Sequence, residues 1–157
     1  IARLADSSLI ARKLAPVRRV LVAAPSYISA NGMPKTPEDL AAHRCLTYGH
    51  STTLQRWQLA RGGEYGNFAV NSALCSNNGD VLRAAAVAGQ GITLLPTFIV
   101  GKDIAAERLR LVLEDNPPTA LDAFALYPPN RFLAAKTRLL IDHLVKTVGA
   151  TPEWDRF

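Results

Sequence analysis

The sequence predicts an α/β fold with a largely parallel sheet and one hairpin, and three observations carry that reading. Short apolar runs bounded by Gly, Pro and Asn alternate with segments of helical spacing. Residues 77–96, NNGDVLRAAAVAGQGITLLP, compress a strand exit, a helix, a stop and a new strand into twenty letters. Leu140, Ile141, Leu144, Val145 and Val148 form an apolar stripe at helical spacing, with Lys136, Arg138, Asp142 and Lys146 opposite, which is a helix laid with one face on a sheet.

Taken in order, Leu9–Leu14 and Arg19–Ala24 read as strands on either side of Ala15-Pro16-Val17, and Pro25 ends the second. Pro25–Ala30 suits a short helix stopped by Asn31-Gly32. Thr36–His43 has a threonine cap, a proline at the first helical position and two acids in the first turn, all signals of a helix start. Arg44–Tyr48 is a short strand that empties into Gly49-His50-Ser51-Thr52-Thr53, a loop of small hydroxyl side chains and one imidazole. Arg56–Ala60 and Tyr65–Val70 flank Arg61-Gly62-Gly63-Glu64 as a hairpin, and Leu74-Cys75-Ser76 feeds the central step.

Within that step, Val81–Ala88 is so apolar that the helix is expected to be covered on nearly every side, with Gly89 and Gly91 as its stop and Ile92–Leu95 a buried strand. Beyond Pro96, Thr97–Val100 reads as a single turn and Lys102–Arg108 as a short helix. Leu109–Leu113 is a strand, Asn116-Pro117-Pro118 a loop, and Ala123–Tyr127 a strand cut by Pro128-Pro129.

The chain has 157 residues, nearly half of them apolar, which is enough to bury a core. Its formal charge of +5 is spread along the sequence, so the clustered basic footprint of a nucleic-acid interface is missing. Cys45 and Cys75 lie in separate strand-like runs and no secretory signal or long apolar stretch is present, the pattern of two free thiols in a cytoplasmic protein that touches no membrane.

Catalytic chemistry is thinly represented. There is no nucleophile elbow or phosphate-cradling loop, and Gly89-Gln90-Gly91 lacks the third glycine of a dinucleotide motif. His43, His50 and His143 are scattered without metal-ligand spacing, and Asp80 has a sufficient structural reason to stand in a helix's first turn. The reading is therefore of no enzyme, no metal and no cofactor. Non-covalent recognition fares better. Hydroxyls at Ser51 and Thr52, amides at Asn77 and Asn78, and the free backbone donors of a helix start follow two successive strands, so they suit one crevice for a carboxylate or a similar polar group.

Several motifs in the right order resemble the effector-binding domain of LysR-type transcriptional regulators. They are Arg19–Tyr27, Thr36–Leu40 followed by His43–Leu46, Trp57-Gln58-Leu59, Asn77–Ala85 leading to Gly89–Ile92 and Leu94-Leu95-Pro96, and Tyr127–Arg131 before the last helix. The resemblance covers nearly the whole chain. It implies a periplasmic-binding-protein type 2 fold, a Rossmann-like pair of α/β lobes, with one lobe complete (25–123) and the other partial. Residues 1–19 and 130–157 would belong to the partial lobe, and 20–25 and 124–129 would be the crossing strands. The family's first βα units and its winged helix-turn-helix are absent from this stretch.

The resemblance also implies that an effector, a carboxylate or an aromatic acid, is held by Thr47, Gly49, His50, Ser51 and Thr52 together with Asn77 and Asn78. Arg3 would face an effector carboxylate and Pro128 would line the hinge. Effector binding would shift lobe orientation and thereby DNA binding by a homodimer or homotetramer, through the N-terminal domain of the parent protein. A transport-type solute-binding protein of the same fold is the alternative.

Overall fold

The computed structural model describes residues 9–51, 55–128, 134–149 and 152–157, and the chain falls into two compact units. The first comprises Ile1–Arg18 and Ala120–Arg156, the second Arg19–Thr119 with Phe157. The chain passes between units at 18/19 and 119/120.

In the first unit, β1 (Ile10–Val17) pairs antiparallel with β9 (Leu121–Tyr127), and α4 (Ala135–Val148) packs against β1. Arg12 and Asp142 approach to 3.7 Å between strand and helix, and Lys13 pairs with Asp122 at 2.7 Å across the two strands. Pro16, expected to interrupt this region, lies within β1 opposite Asp122. A proline is tolerated there because β1 pairs only with β9 among the described residues, leaving its other edge without a demand for a donor. Of the stripe on α4, Ile141 is buried, Leu144, Val145 and Val148 are half-buried, and Leu140 is 57 % exposed.

The second unit is a five-stranded sheet in the order β6-β3-β7-β2-β8. Here β2 is Arg19–Ala23, β3 Arg44–Tyr48, β6 Asn71–Ser76, β7 Ile92–Pro96 and β8 Arg110–Val112. β6, β3 and β7 pair in parallel. β2 alone runs the other way, antiparallel to both β7 and β8, so four of the five strands share one direction and the sheet is mixed only through β2. Period-two alternation divides the core between its faces. Leu21, Ala23, Cys45 and Ile92 meet Tyr27, Leu40, Trp57 and Leu59 on one side, while Val20, Val22, Leu46 and Leu95 meet Leu82, Ala86 and Val100 on the other.

Helix α1 (Pro25–Asn31) follows β2, and the Tyr27 hydroxyl accepts a bond from the Arg44 amide at 2.9 Å and meets His43 Nδ1 at 3.1 Å, tying α1 to the start of β3. The predicted helix at 36–43 is a single 3-10 segment, Pro37–Ala41. Its start signals are nonetheless used, because the Asp39 carboxylate accepts from the amides of Lys35 and Thr36, each at 2.9 Å. Those bonds, Thr36's first, hold the Asp39 carboxyl below the usual carboxylate range. β4 (Arg56–Arg61) and β5 (Glu64–Ala69) form the expected hairpin, with Gly62 and Gly63 at φ 59° and 90° supplying the left-handed conformations that a two-residue turn of this hand needs.

Helix α2 is Gly79–Val87 and α3 is one continuous helix, Thr97–Ala105, not a turn plus a short helix. Gly101 does not break it because Val100 and Gly101 are buried, and packing outweighs the roughly 1 kcal/mol that glycine costs a helix interior. Nor is α2 covered all round: Leu82 and Ala86 are buried, but Val81, Ala84 and Ala88 face solvent. Alanines make an exposed stripe inexpensive. The buried Asp103 carboxylate joins the two helices, accepting from Arg83 at 3.1 Å and from Arg108 at 2.8 and 2.6 Å. At the unit's boundaries, Arg19 Nη2 donates to the Thr119 carbonyl at 2.8 Å and contacts its hydroxyl at 3.1 Å, closing the chain on itself where it enters and leaves.

Candidate functional site

Parallel pairing decides which loops meet. Tyr48, the last residue of β3, stands opposite Ser76, the last of β6, so the next residues of both strands leave the same edge of the sheet. The Gly49 amide donates to the Ser76 carbonyl at 3.1 Å, extending the contact one residue beyond the strands. Gly49-His50-Ser51 and Asn77-Asn78 therefore lie side by side at the carboxyl ends of parallel strands, the edge where open α/β sheets take ligands. His50, Ser51, Asn77 and Asn78 are all exposed there. Gln55 Nε2 donates to the Ser51 carbonyl and draws the start of β4 toward the loop.

β7 lies on the other side of β3 and runs into α3 at this same edge. A Cβ added at Gly79, the first residue of α2, would lie 2.6 Å from Ile99 Cδ1 and 3.7 Å from Leu95 Cδ2, so the first turns of α2 and α3 touch. Tyr48 (62 % exposed), Val81 (46 %) and Phe98 (42 %) bring apolar surface to the neighbourhood of the polar loop. Tyr48 and Phe98 were not singled out from the sequence. Their signal, an aromatic at a strand's last residue and another after the next strand's terminal proline, acquires meaning only once β3 and β7 are known to be neighbours.

Not every expected residue sits on this rim. Thr47 is 1 % exposed, its hydroxyl 2.6 Å from Ser72 Oγ and 3.4 Å from the Leu74 carbonyl, so it braces β3 against β6 beneath the loop and offers no group to a ligand at the surface of this unit. Both faces of the sheet are covered here, so Cys45, Leu46 and Thr47 are all buried whichever way they point. The free backbone donors expected at the helix start are also largely used. Asn78 Oδ1 accepts from Asp80 at 2.9 Å and Val81 at 3.4 Å, and the Asn78 carbonyl accepts from Leu82 at 3.4 Å. Even the Asn78 amide is bonded, to Ser76 Oγ at 3.1 Å. What remains for a guest at this corner is chiefly the Asn77 side chain and the Asn78 Nδ2 amide. Replacing Asn78 by alanine is thus expected to cost about 1 kcal/mol of stability through the lost cap, measurable as an earlier denaturant midpoint.

Arg3 and Thr52 lie outside the described residues. Pro128 is exposed just beyond β9, in the first unit.

Asp80 brings a carboxylate to the rim, with Arg83 Nε at 3.4 Å and Arg83 Nη1 in turn on Asp103. The hydrogen bond that Arg83 donates to Asp103, with the charges of Asp103 and Asp80, holds the Arg83 guanidinium above its ordinary range against the opposing effect of burial. Cys75 is half-buried next to Gly49, where a Cβ would lie 3.7 Å from its Sγ, and Cys45 is buried, its thiol pushed up to about 12 by desolvation. A thiol so raised stays protonated and unreactive. Among the described residues no three His, Cys, Asp or Glu side chains gather as metal ligands, and no helix is long and apolar enough to cross a membrane. Neutral amides, a hydroxyl, an imidazole and apolar surface suit the binding of a small molecule with one polar end and an apolar body.

A family model described as the LysR substrate binding domain matches residues 1–149. An uncharacterised HTH-type transcriptional regulator of Haemophilus influenzae is 34 % identical over 131 residues, covering 83 % of this chain and 46 % of its own length. The HTH-type transcriptional regulator CrgA of Neisseria meningitidis is 31 % identical over 147 residues, 92 % of this chain and 48 % of that protein. The chain therefore spans about half the length of these curated relatives. Among solved structures, the CrgA regulatory domain superposes with a TM-score of 0.79 at 28 % identity, covering 94 % of this chain and 72 % of that one. Full-length AphB of Vibrio cholerae, a virulence activator, gives 0.78 at 32 % identity, covering 91 % and 49 %.

Proposed function

Because the chain belongs to the family of LysR substrate binding domains, with their periplasmic-binding-protein type 2 fold, we propose that it is the effector-sensing part of a LysR-type transcriptional regulator. The observation that carries the site is the Gly49 to Ser76 hydrogen bond, which sets the His50–Ser51 loop beside Asn77 and Asn78. The family is one of transcriptional regulators, not of enzymes.

In this reading the amides of Asn77 and Asn78 and the hydroxyl of Ser51 hold the polar end of a carboxylate or aromatic acid, and Tyr48 and Phe98 cover its apolar body. Binding favours one arrangement of the two units only to the extent of its differential affinity for the alternatives. The parent protein, a homodimer or homotetramer, converts that preference into altered DNA contact through an N-terminal helix-turn-helix.

Calorimetric titration of the full-length protein with benzoate, salicylate and succinate tests this. Asn77→Ala is the informative variant, since it removes an exposed amide without touching the cap, and it is expected to weaken the tightest of these ligands by roughly tenfold, one charge-assisted bond, with the melting temperature unchanged. Asn78→Asp, which keeps the capping oxygen but adds a negative charge, should weaken an acid further. Equal affinity in wild type and both variants would remove these residues from the site.

A further inference from the structure

We propose that Gln55 is a positioning residue of the effector site: its side-chain amide sets the conformation of Gly49–Ser51 before a ligand arrives. This rests on the reading that the loop is one wall of that site. Gln55 acts through the loop and not on the effector.

Gln55 Nε2 donates to the Ser51 carbonyl at 2.5 Å, and a Cβ built on Gly49 would lie 4.0 Å from the same nitrogen and 3.7 Å from Cys75 Sγ. One amide therefore meets the loop at both ends, with His50 between them. The Gly49 amide adds a second tie, to the Ser76 carbonyl at 3.1 Å. The side of these contacts away from the loop is firmly held. Gln55's own carbonyl accepts from the Val70 amide at 3.1 Å, and Trp57 and Leu59 seat the following strand, β4, in the core. Further along β4, the Ala60 amide donates to the Pro117 carbonyl and Asn116 Nδ2 to the Ala60 carbonyl, both at 2.9 Å. The start of β4 thus keeps its place without the Gln55 side chain. What the bond to Ser51 restrains is the loop, whose His50 and Ser51 are exposed.

Deleting one such bond shifts a local loop equilibrium by roughly fivefold. A guest that takes one loop arrangement is weakened in proportion, because apparent affinity scales with the population of the competent state. Loss of the amide should therefore raise the dissociation constant by about two- to fivefold and leave global stability, which the core holds, nearly unchanged.

The test compares isotope-labelled full-length wild type with Gln55→Ala and with Gln55→Met, which keeps length and bulk but has no donor. Without ligand, both variants should displace the amide signals of Gly49–Ser51, speed hydrogen exchange of the Gly49 amide by about two- to fivefold, and leave β2 and β7 unmoved. Titrated with the tightest of benzoate, salicylate and succinate, both should bind about two- to fivefold more weakly. On saturation, the difference from wild type at Gly49–Ser51 should shrink, the signature of lost preorganisation and not of a lost ligand contact. Unmoved loop signals in the free variants, wild-type behaviour of Gln55→Met, unchanged affinity, or a loop difference that grows on saturation would each overturn the proposal. If none of the three acids shifts either rim loop of the wild type, the effector reading fails instead, and the ligand-free spectra still decide whether Gln55 sets the loop.

Discussion

Replacing Gly91 by alanine is expected to destabilise the protein by about 2–3 kcal/mol, near the top of the range for overpacking a tight site. The cause is space and not backbone conformation. A Cβ at Gly91 would lie 2.4 Å from the Arg44 carbonyl oxygen and 3.3 Å from Leu46 Cδ2. The first contact is with backbone, which cannot swing aside as the end of a side chain would. Relief requires moving β3 away from β7 where their parallel pairing begins, at Cys45 opposite Ile92, both fully buried. Urea denaturation should show a lower midpoint at unchanged slope. Gly91 precedes β7 and the rim follows β3 and β6, at the other edge of the sheet, so molecules that remain folded should bind effector normally.

Asp103→Asn should cost about 2–3 kcal/mol near neutral pH, a fall of roughly 5–10 °C in Tm for a protein of this size. The carboxylate is buried and receives three arginine contacts, of which a neutral amide can accept only in part. The loss stays below that of a fully isolated buried charge because Arg83 and Arg108 are 35 % and 55 % exposed and can turn to water. Burial alone would push the Asp103 carboxyl up, but the hydrogen bonds and charges of Arg108 and Arg83 outweigh it and hold the group below its ordinary range. A carboxylate depressed on folding contributes its full stability above its unfolded value of about 3.9, and the contribution is lost as pH falls through the lower folded value. The gap between wild type and Asp103→Asn should therefore be largest near pH 7 and narrow progressively below about pH 4. A gap independent of pH would mean that the amide fails by shape and not by charge.

What the sequence disclosed and what it withheld separate by range of interaction. The Asn78 helix start, the Gly62-Gly63 hairpin and the Gly89 stop were legible because the chemistry of each is completed within a few residues. The reversed direction of β2 between β7 and β8 was not, since strand direction depends on partners up to about ninety residues away. Gly101 looked like a break because burial, which holds α3 together there, leaves no local sign. The candidate site divides the same way. That Ser51 and Asn77 each follow a strand was visible, but that those strands are neighbours in the sheet, that Thr47 turns inward to Ser72, or that Asn78 spends its oxygen on its own helix, required the register.

Whether the two loops form one effector site is tested by mapping where the tightest-binding acid docks, by backbone amide shift changes in the full-length protein. The largest changes are expected at Gly49–Ser51 and Asn77–Asp80, both loops responding together with one saturation curve. Changes at one of these loops without the other, or confined to β1 and β9, would contradict it.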